Sequence, residues 1–320
     1  MTVADLGEFG LIAAIKQMLP TDPTAVVGVG DDAAVLAAPD GRTVASTDLL
    51  IEGRHFRRDW SSARDIGVKA AAQNLADLAA MGAAPTALLF GLAVPAATAV
   101  TWVLELTGGL VTECERGGAV IAGGDVTGAD AVMLGITALG TLAGRAPVTR
   151  GGARPGDVLA LCGAVGRSAA GLAVLQAGLE PGSAAELADL VAAHRRPRPD
   201  YRAGPMAAAA GATAMIDVSD GLVADLGHVA AASGVRIDVR SESLATASLR
   251  SAAGRLGADW RDWALGGGED HALAASFPPE ASLPPGWTVI GHVLAGNGVA
   301  VDARPWHGRG GWDHFLAGSS

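Results

Sequence analysis

The sequence is short of cysteine, of aromatic residues and of clustered positive charge. Only two cysteines, Cys114 and Cys162, occur among 320 residues, and each stands alone in an apolar stretch. They form no metal-binding spacing, so we expect both to be unpaired and buried. Lys and Arg number 23 against 33 Asp and Glu, which gives a net charge of −10. Without a basic run, the sequence argues against a nucleic acid or an anionic membrane as partner.

The common phosphate-binding and hydrolase motifs are also missing. The sequence contains no GxxxxGK[ST] loop, no protein-kinase motif set and no GxGxxG between a strand and a helix. GxSxG and HExxH are absent as well. Any chemistry on phosphates would therefore depend on carboxylates with divalent cations, because few basic side chains are available.

One long uncharged stretch could be mistaken for a membrane span. Residues 78–104 carry no charge, a length that could cross a bilayer. Because Gly82, Pro85, Gly91 and Pro95 interrupt it, we predict a helix end, a buried strand and a new helix instead. The N-terminus lacks the basic and apolar regions of a signal peptide, which predicts a cytoplasmic protein.

The alternation of apolar runs and turn residues predicts an α/β protein of two domains. The turn-rich residues 150–157 are the best candidate for the boundary. Strands are predicted over 43–46 and 119–122, each just before an acidic residue. Helices are predicted over 63–81 and 219–232, with Ser219 as the N-cap of the second.

Five short clusters place acids beside glycine or at the predicted ends of strands. They are Gly30-Asp31-Asp32, Ser46-Thr47-Asp48, Gly123-Gly124-Asp125, Asp217-Val218-Ser219-Asp220-Gly221 and Gly267-Gly268-Glu269-Asp270. Glycine lets the backbone approach a ligand, and carboxylates are hard oxygen ligands suited to Mg²⁺ and through it to phosphate. At the start of the helix over 219–232, free N–H groups would favour an anion. Each cluster alone could be a plain turn or a helix cap.

A sixth feature is the polar face of the helix over 63–81. Lys69, Gln73 and Asp77 are spaced four residues apart and so share one face. The rest of that helix is apolar, so a carboxylate there is costly unless it is paired or bound to a metal. The alternative is an internal network around Lys69.

Taken in order, these motifs resemble the thiamine-monophosphate kinase family of the aminoimidazole ribonucleotide synthase superfamily. The resemblance runs from Gly7 to Phe315. It is carried by the clusters above together with Gly7-Glu8-Phe9, Glu52-Gly53-Arg54-His55-Phe56 and Asn74-Leu-Ala-Asp77-Leu-Ala-Ala-Met-Gly82. It implies a two-domain α/β (α+β) fold with mixed sheets flanked by helices. The implied domains are 1–148, 149–305 and a tail over 306–320 that contributes to the substrate site.

The resemblance also implies a reaction and its residues. ATP would phosphorylate thiamine monophosphate to thiamine diphosphate by direct in-line transfer, in a homodimer joined through the sheet of the first domain. Asp48, Asp77 and Asp125 would act through bound metal, with no general base. The implied ligands of several Mg²⁺ ions are Asp32, Ser46, Thr47, Asp48, Asp77, Asp125, Asp217 and Asp220. The implied ATP contacts are Gly124, Asp125, Arg150 and Ser219, and the implied substrate contacts are His55, Glu269 and Trp312.

The sequence departs from the family pattern in two places, and two other functions stay open. His271 follows the acidic pair where the family often has an aromatic residue. Val126-Thr127-Gly128 stands where it often has Thr-Thr-Arg. The first alternative is a purine-pathway synthase of the same superfamily. The second is a regulator that binds a nucleotide without turning it over.

Overall fold

The computed structural model describes residues 1–20, 25–27, 35–180, 182, 184–306, 308 and 311. The chain divides into two compact units. The first unit holds residues 1–78 and 83–145, and the second unit holds 79–82 and the described residues from Ala146 onward. Among the described residues, no helix is long and apolar enough to cross a membrane. The stretch over 78–104 instead forms a helix end, a strand and a new helix, as predicted.

The described part of the first unit is a four-stranded mixed sheet with helices and a short strand pair. Its elements in chain order are α1 Val3–Leu6, α2 Glu8–Lys16, β1 Ala25–Val27, β2 Val35–Leu36, β3 Val44–Ile51, α3 Ala63–Ala80, β4 Ala84–Val94, α4 Val100–Gly117, β5 Val120–Gly128 and β6 Met133–Thr141. The sheet order is β3-β6-β4-β5, with β1 paired to β2. The pair β4–β5 is parallel, and β6 runs antiparallel to both of its neighbours.

Strands β3 and β5 are longer than the sequence predicts. The ladder of β3 with β6 continues through Asp48 to Ile51, and that of β5 with β4 continues through Asp125 to Gly128. The predicted ends at residues 46 and 122 are therefore wrong. Both acids lie inside strands, where alternation of side chains decides which face each one occupies.

The second unit is built around a seven-stranded mixed sheet. Its elements are β7 Val158–Cys162, α5 Arg167–Gln176, α6 Ala185–Arg195, α7 Ala203–Ala209, β8 Ala214–Asp217, α8 Leu222–Ser233, β9 Arg236–Val239, α9 Ala247–Leu256, α10 Trp260–Gly266, β10 Leu273–Phe277, β11 Trp287–Leu294, β12 Gly298–Val301 and β13 Arg304–Pro305. The sheet order is β13-β12-β9-β11-β7-β10-β8. The pair β9–β12 is parallel and the other described pairs are antiparallel.

Helices cover both faces of this second sheet. Alternate residues of its strands pack on one side against α5, α6, α8, α9 and α10, and on the other side against α7. All five residues of β10 are consequently buried, as expected of a strand covered on both faces. Phe277 of that strand meets Trp287 edge to face, with ring centroids 5.3 Å apart. The predicted fold class, mixed sheets flanked by helices, is confirmed.

Both cysteines are buried and unpaired, as predicted. Burial raises the pKa of the Cys114 thiol to about 12 and that of Cys162 to about 11. Because the thiolate is the reactive form, neither cysteine is suited to nucleophilic chemistry.

Candidate functional site

Two acids of the first unit meet neutral donors in a polar seam between α3 and β3. Ser46 Oγ donates to Asp77 Oδ2 at 2.6 Å, and Gln73 Nε2 donates to Asp48 Oδ2 at 3.2 Å. The pairing follows from geometry, because four helix residues rise about 6 Å and two strand residues about 6.6 Å. These four residues define the polar seam. The two bonds orient the carboxylates without neutralising their charge.

The turn after β3 fixes His55. The backbone N–H of Ile51 donates to His55 Nδ1 at 3.0 Å, and the buried Lys69 donates from Nζ to the His55 carbonyl at 3.1 Å. Because Nδ1 accepts a hydrogen bond, the hydrogen-bond network assigns the proton of the neutral ring to Nε2. His55 thus presents an N–H donor, the group that a phosphate oxygen requires. Of the network that we considered around Lys69, the structure gives this bond, which supports the turn.

Thr47 lies on the opposite face of β3 from Ser46 and Asp48. Its hydroxyl donates to the Ile136 carbonyl at 2.8 Å and accepts from Thr137 at 3.1 Å. Side chains alternate along a strand, so adjacent residues cannot share a face. Within one copy of the first unit, the Thr47 side chain therefore does not join the polar seam.

Asp125 is also separate from the polar seam within one copy of the chain. It is exposed on β5, and β5 and β3 are the opposite edges of the four-stranded sheet. Three strand spacings separate those edges, about 14 Å. The preceding Gly124 lies against β4, where a Cβ would come within 2.0 Å of the Phe90 carbonyl oxygen. Only glycine allows that approach.

The predicted metal ligands do not form one cluster in the described residues. No group of three or more His, Cys, Asp or Glu side chains in that part of the chain could hold a metal ion. Asp32 lies outside the described residues. What the first unit offers is two carboxylates and a hydroxyl in the polar seam, a set of hard oxygen donors of the kind that Mg²⁺ prefers.

In the second unit, the start of α8 is closed by an internal carboxylate. Asp225 Oδ2 accepts hydrogen bonds from the backbone N–H groups of Ser219, Asp220 and Gly221 at 3.1, 3.1 and 3.0 Å. The helix begins at Leu222, and its N-cap residue is Gly221, which has no side chain to cap it. The predicted N-cap at Ser219 is therefore wrong, and the amides that we expected to bind an anion donate to Asp225.

The position of Asp225 raises its pKa. Burial is the largest cause, the neighbouring Asp217 carboxylate adds to it, and the hydrogen bonds from Gly221 and Asp220 oppose both, so that the pKa rises to about 7. Asp217 itself is buried at the end of β8, where its Oδ2 lies 3.2 Å from His271 Nδ1. The departure from the family pattern at position 271 thus gives Asp217 an imidazole partner.

The loop after α10 packs against the residues that lead into α8. The Glu269 N–H donates to the Ser219 carbonyl at 2.8 Å, and the His271 N–H donates to the Val218 carbonyl at 2.9 Å. A Cβ on Gly268 would come within 2.3 Å of the Ser219 oxygen, so glycine is required there. Glu269 and His271 have positive φ values of 64° and 54°. Such backbone is costly for residues with side chains and is often found at functional sites.

Asp270 closes the start of α5 as Asp225 closes that of α8. Its Oδ2 accepts from the Gly166 N–H at 2.6 Å and its Oδ1 from the Ser168 N–H at 2.8 Å. Part of the residue reaches the surface, yet the carboxyl group is enclosed. Burial raises the pKa of Asp270 to about 7, and the two amide hydrogen bonds oppose that shift.

Glu269 has a neighbour that the sequence did not indicate. Glu269 Oε2 lies 3.6 Å from Nδ1 of His194, in the last turn of α6. The same nitrogen lies 3.1 Å from the Ser168 hydroxyl. His194 and Ser168 are both buried, whereas about a third of the Glu269 side chain is exposed.

The remaining predicted residues lie at the start of the second unit and at the end of the chain. Arg150 is exposed, and its carbonyl accepts from the Ser233 hydroxyl at 2.9 Å. Trp312 lies outside the described residues. Its neighbour Gly311 packs at the start of α8, where a Cβ would meet the Ala224 methyl group at 2.6 Å and the Asp220 carbonyl at 3.1 Å.

Sequence reasoning missed Asp225, His194 and Ser168 as parts of this region, and it named Asp270 without its role at the start of α5. Asp225 carried a usable signal, because an acid in the first turn of a helix often accepts from its free amides. The other three act through contacts between residues far apart in the sequence, which no local pattern marks.

Comparison with known proteins gives one consistent result. Residues 30–142 match the N-terminal domain of AIR synthase related proteins, and residues 154–263 match their C-terminal domain. The chain is 48% identical over 317 residues to the thiamine-monophosphate kinase of Mycobacterium tuberculosis H37Rv, covering 98% of this chain and 93% of that protein. It is 44% identical over 322 residues to the thiamine-monophosphate kinase of Corynebacterium glutamicum, covering 98% and 95%.

Two solved structures extend the comparison to the fold. The chain is similar to thiamine-monophosphate kinase from Stenotrophomonas maltophilia K279a, with a TM-score of 0.79 and 34% identity over 92% of this chain and 95% of that one. It is also similar to AaThiL complexed with AMPPCP and TMP, with a TM-score of 0.80 and 34% identity over 98% and 99%.

Proposed function

We propose that the chain, which belongs to the thiamine-monophosphate kinase family, transfers the terminal phosphate of ATP to thiamine monophosphate and yields thiamine diphosphate. The observation that carries the proposal is the full-length similarity to a structure holding AMPPCP and TMP. The polar seam and His55 supply residues suited to such ligands. We place the reaction in the cytoplasm, where ATP is available and unpaired cysteines such as Cys114 and Cys162 stay reduced.

Mg²⁺ is part of the proposal. Asp48, Asp77 and Ser46 would hold it, and the family pattern adds Asp32, Asp125, Asp217 and Asp220. We leave out Thr47, because its hydroxyl bonds Ile136 and Thr137 on the other face of β3. The donor set fits, since it consists of carboxylate and hydroxyl oxygens. When bound, the ions would neutralise and align the phosphates. Activity should therefore be lost in excess EDTA and return with added Mg²⁺, and full activity in EDTA would contradict this assignment.

The acceptor in this reaction needs no general base. The attacking atom is a phosphate oxygen of thiamine monophosphate, which is already anionic at neutral pH. The protein has only to bring two phosphates into line. We assign His55 Nε2 as a donor to the substrate phosphate, because Ile51 and Lys69 hold the ring and its backbone in place.

We assign the rest of the pocket from the family pattern and the geometry of the second unit. Glu269 would face the thiazolium cation. Trp312 would stack on the substrate, and Gly311 next to it packs at the start of α8. Gly124, Asp125, Arg150 and Ser219 would contact the nucleotide. The domain limits 1–148, 149–305 and 306–320 are proposals of the same kind.

We also propose that the protein is a homodimer formed through the sheet of the first unit. Leu49 in the middle of β3 is 59% exposed, on the face opposite the polar seam. The family pattern implies this dimer, in which a second copy of the sheet would cover that side chain. In a single copy, Asp48 and Asp125 lie at opposite edges of that sheet, so a site that uses both would need a second copy.

Mixing two inactive variants tests this dimer. If one site takes Asp48 from one copy and Asp125 from the other, Asp48→Asn mixed with Asp125→Asn should form heterodimers with one intact site. Equal, random mixing then restores about a quarter of the wild-type activity, because half of the dimers are heterodimers and each heterodimer has one intact site of two. No recovery after exchange of subunits would contradict a shared site, and a monomer in sedimentation would contradict the dimer.

The assay that tests the function uses thiamine monophosphate and free thiamine side by side. With MgATP, the protein should convert thiamine monophosphate to thiamine diphosphate, detected by chromatography. Free thiamine should be a poor acceptor, because its hydroxyl must lose a proton and it lacks the phosphate that His55 and the metal would hold. Comparable rates with both would indicate a base-assisted hydroxyl kinase. Turnover of neither would contradict the proposed function.

A further inference from the structure

The carboxylate of Glu269 sits on a backbone that the fold holds rigidly. Glu269 has φ of 64°, and its N–H donates to Ser219. The next residue, Asp270, is tied to the start of α5 by two amide hydrogen bonds. The Glu269 side chain nevertheless reaches solvent, with 35% exposed. A glutamate on a rigid backbone still has three side-chain torsions, so its carboxylate needs a further contact to be fixed.

His194 supplies that contact from inside the second unit. Its Nδ1 lies 3.6 Å from Glu269 Oε2 and 3.1 Å from Ser168 Oγ. We assign the ring proton to Nδ1, because the Glu269 carboxylate near it can only accept, whereas the Ser168 hydroxyl can accept or donate. The imidazole lies at the C-terminal end of α6, where the helix dipole favours donors and positive charge. Ser168, the second partner of the ring, is 1% exposed, so the surrounding packing holds its side chain in place.

A serine, a histidine and a glutamate in contact could suggest a hydrolytic triad, but the geometry excludes one. In a triad, the serine and the acid address opposite nitrogens of the ring. Here both lie near Nδ1, and the serine is buried. The cluster is therefore suited to hold a carboxylate and not to attack a substrate.

We propose that His194, held by Ser168, is a positioning residue that fixes the Glu269 carboxylate for binding the cationic ring of the acceptor. The proposal rests on the proposed function, in which Glu269 faces the thiazolium. It adds a specificity role for two buried residues, His194 and Ser168. A carboxylate fixed in advance loses less side-chain entropy when it pairs with the cation.

Steady-state kinetics with both substrates varied tests this role. His194→Leu should raise the KM for thiamine monophosphate about tenfold, as expected when one oriented ionic contact is weakened. The KM for ATP and kcat should stay within about threefold of wild type. His194→Asn should recover most of the loss, because its amide can place an N–H near the position of Nδ1. The matched control is His228→Asn, an exposed histidine of α8, which should leave all constants unchanged.

A substrate analogue separates positioning from a structural role. A thiamine monophosphate analogue with a neutral ring in place of the thiazolium should bind wild type more weakly than thiamine monophosphate. Its KM should barely change in His194→Leu. A structural role would instead raise both KM values and lower the melting temperature.

The outcomes separate a failure of the proposed function from a failure of the positioning role of His194. Wild type that does not phosphorylate thiamine monophosphate overturns the proposed function before any variant is made. Active wild type with an unchanged KM in His194→Leu overturns the positioning role. An equal rise in the KM for thiamine monophosphate and in the KM for its neutral-ring analogue overturns that role as well.

If His194→Leu fails to fold, Ser168→Ala replaces it in the test, because this variant loses only the hydroxyl and keeps the backbone amide that bonds Asp270. It should raise the KM for thiamine monophosphate about threefold, and an unchanged KM there would contradict the proposal.

Discussion

The acids of the first unit and those of the second unit have different kinds of partner. In the polar seam, Asp48 and Asp77 accept from the side chains of Gln73 and Ser46. In the second unit, Asp225 and Asp270 accept from backbone amides at the starts of α8 and α5.

That difference teaches how a glycine–acid motif should be interpreted. An acid that accepts from three backbone amides just before its own helix, as Asp225 does, is committed to the fold. An acid that accepts from a neutral side chain, as Asp48 does from Gln73, keeps its negative charge, which suits a cation and its phosphates. We therefore expect Asp48 and Asp77 to serve ligand binding, and Asp225 and Asp270 to serve local structure.

The largest expected effect comes from the polar seam. Asp48→Asn and Asp77→Asn should each lower turnover about a thousandfold, because a metal-binding carboxylate contributes several kcal/mol to phosphoryl transfer. The fold should survive, since asparagine can still accept from Gln73 or Ser46. Turnover and circular dichroism measure the two effects.

The exposed Asp59, paired with Arg57, supplies the control Asp59→Asn, which should behave as wild type. Near-normal turnover in either polar-seam variant would remove that acid from the site.

The second prediction concerns the acid that closes α8. Asp225→Ala removes the partner of three backbone N–H groups, that of the buried Gly221 among them, and should lower the free energy of unfolding by about 2–4 kcal/mol. Asp225→Asn should cost much less, because one amide oxygen can replace the carboxylate oxygen that accepts all three bonds. Chemical denaturation compares the two variants. Equal losses would show that the three hydrogen bonds are not what Asp225 contributes.

The third prediction concerns the pH dependence of stability that Asp270 of the second unit causes. Burial raises the pKa of Asp270 from 3.8 to about 7 in the folded protein. Between those values the folded state binds the additional proton, so stability falls as pH rises, by up to about 1.4 kcal/mol per pH unit. That stabilisation is present near pH 4 and lost above pH 7. The difference in unfolding free energy between wild type and Asp270→Asn should show this slope, and a difference independent of pH would contradict it.

The smallest effect is expected at the end of the chain. Trp312→Ala should raise the KM for thiamine monophosphate by an amount equal to about 1 kcal/mol, as for a stacking contact on a cation. The KM for ATP and kcat should change little. Steady-state kinetics with each substrate varied makes the measurement, and equal damage to both would indicate a structural role for the tail.

Sequence patterns predicted what repeats locally and missed what depends on distant contacts. The shared face of Gln73 and Asp77 followed from helical spacing, and β7 was predicted over its observed residues Val158–Cys162. The extension of β3 past Ser46 was missed, because its polar residues suggested a strand end until the ladder with β6 was seen.

The second unit shows the same limit more strongly. The cluster over 217–221 predicted a helix start with free amides, and its local sequence is compatible with such a start. The actual partner, Asp225, lies one turn into the helix, and the contact of His194 with Glu269 joins separate elements. Such contacts are fixed by packing of the whole unit, so no short window contains them.

Binding of a paramagnetic cation tests the contrast between the units most directly. Mn²⁺ can replace Mg²⁺ and be followed by electron paramagnetic resonance, with a non-hydrolysable ATP analogue present. Asp48→Asn and Asp77→Asn should lose bound Mn²⁺, whereas Asp225→Asn and Asp270→Asn should bind as much as wild type. Loss of Mn²⁺ in the second pair with retention in the first would contradict the account.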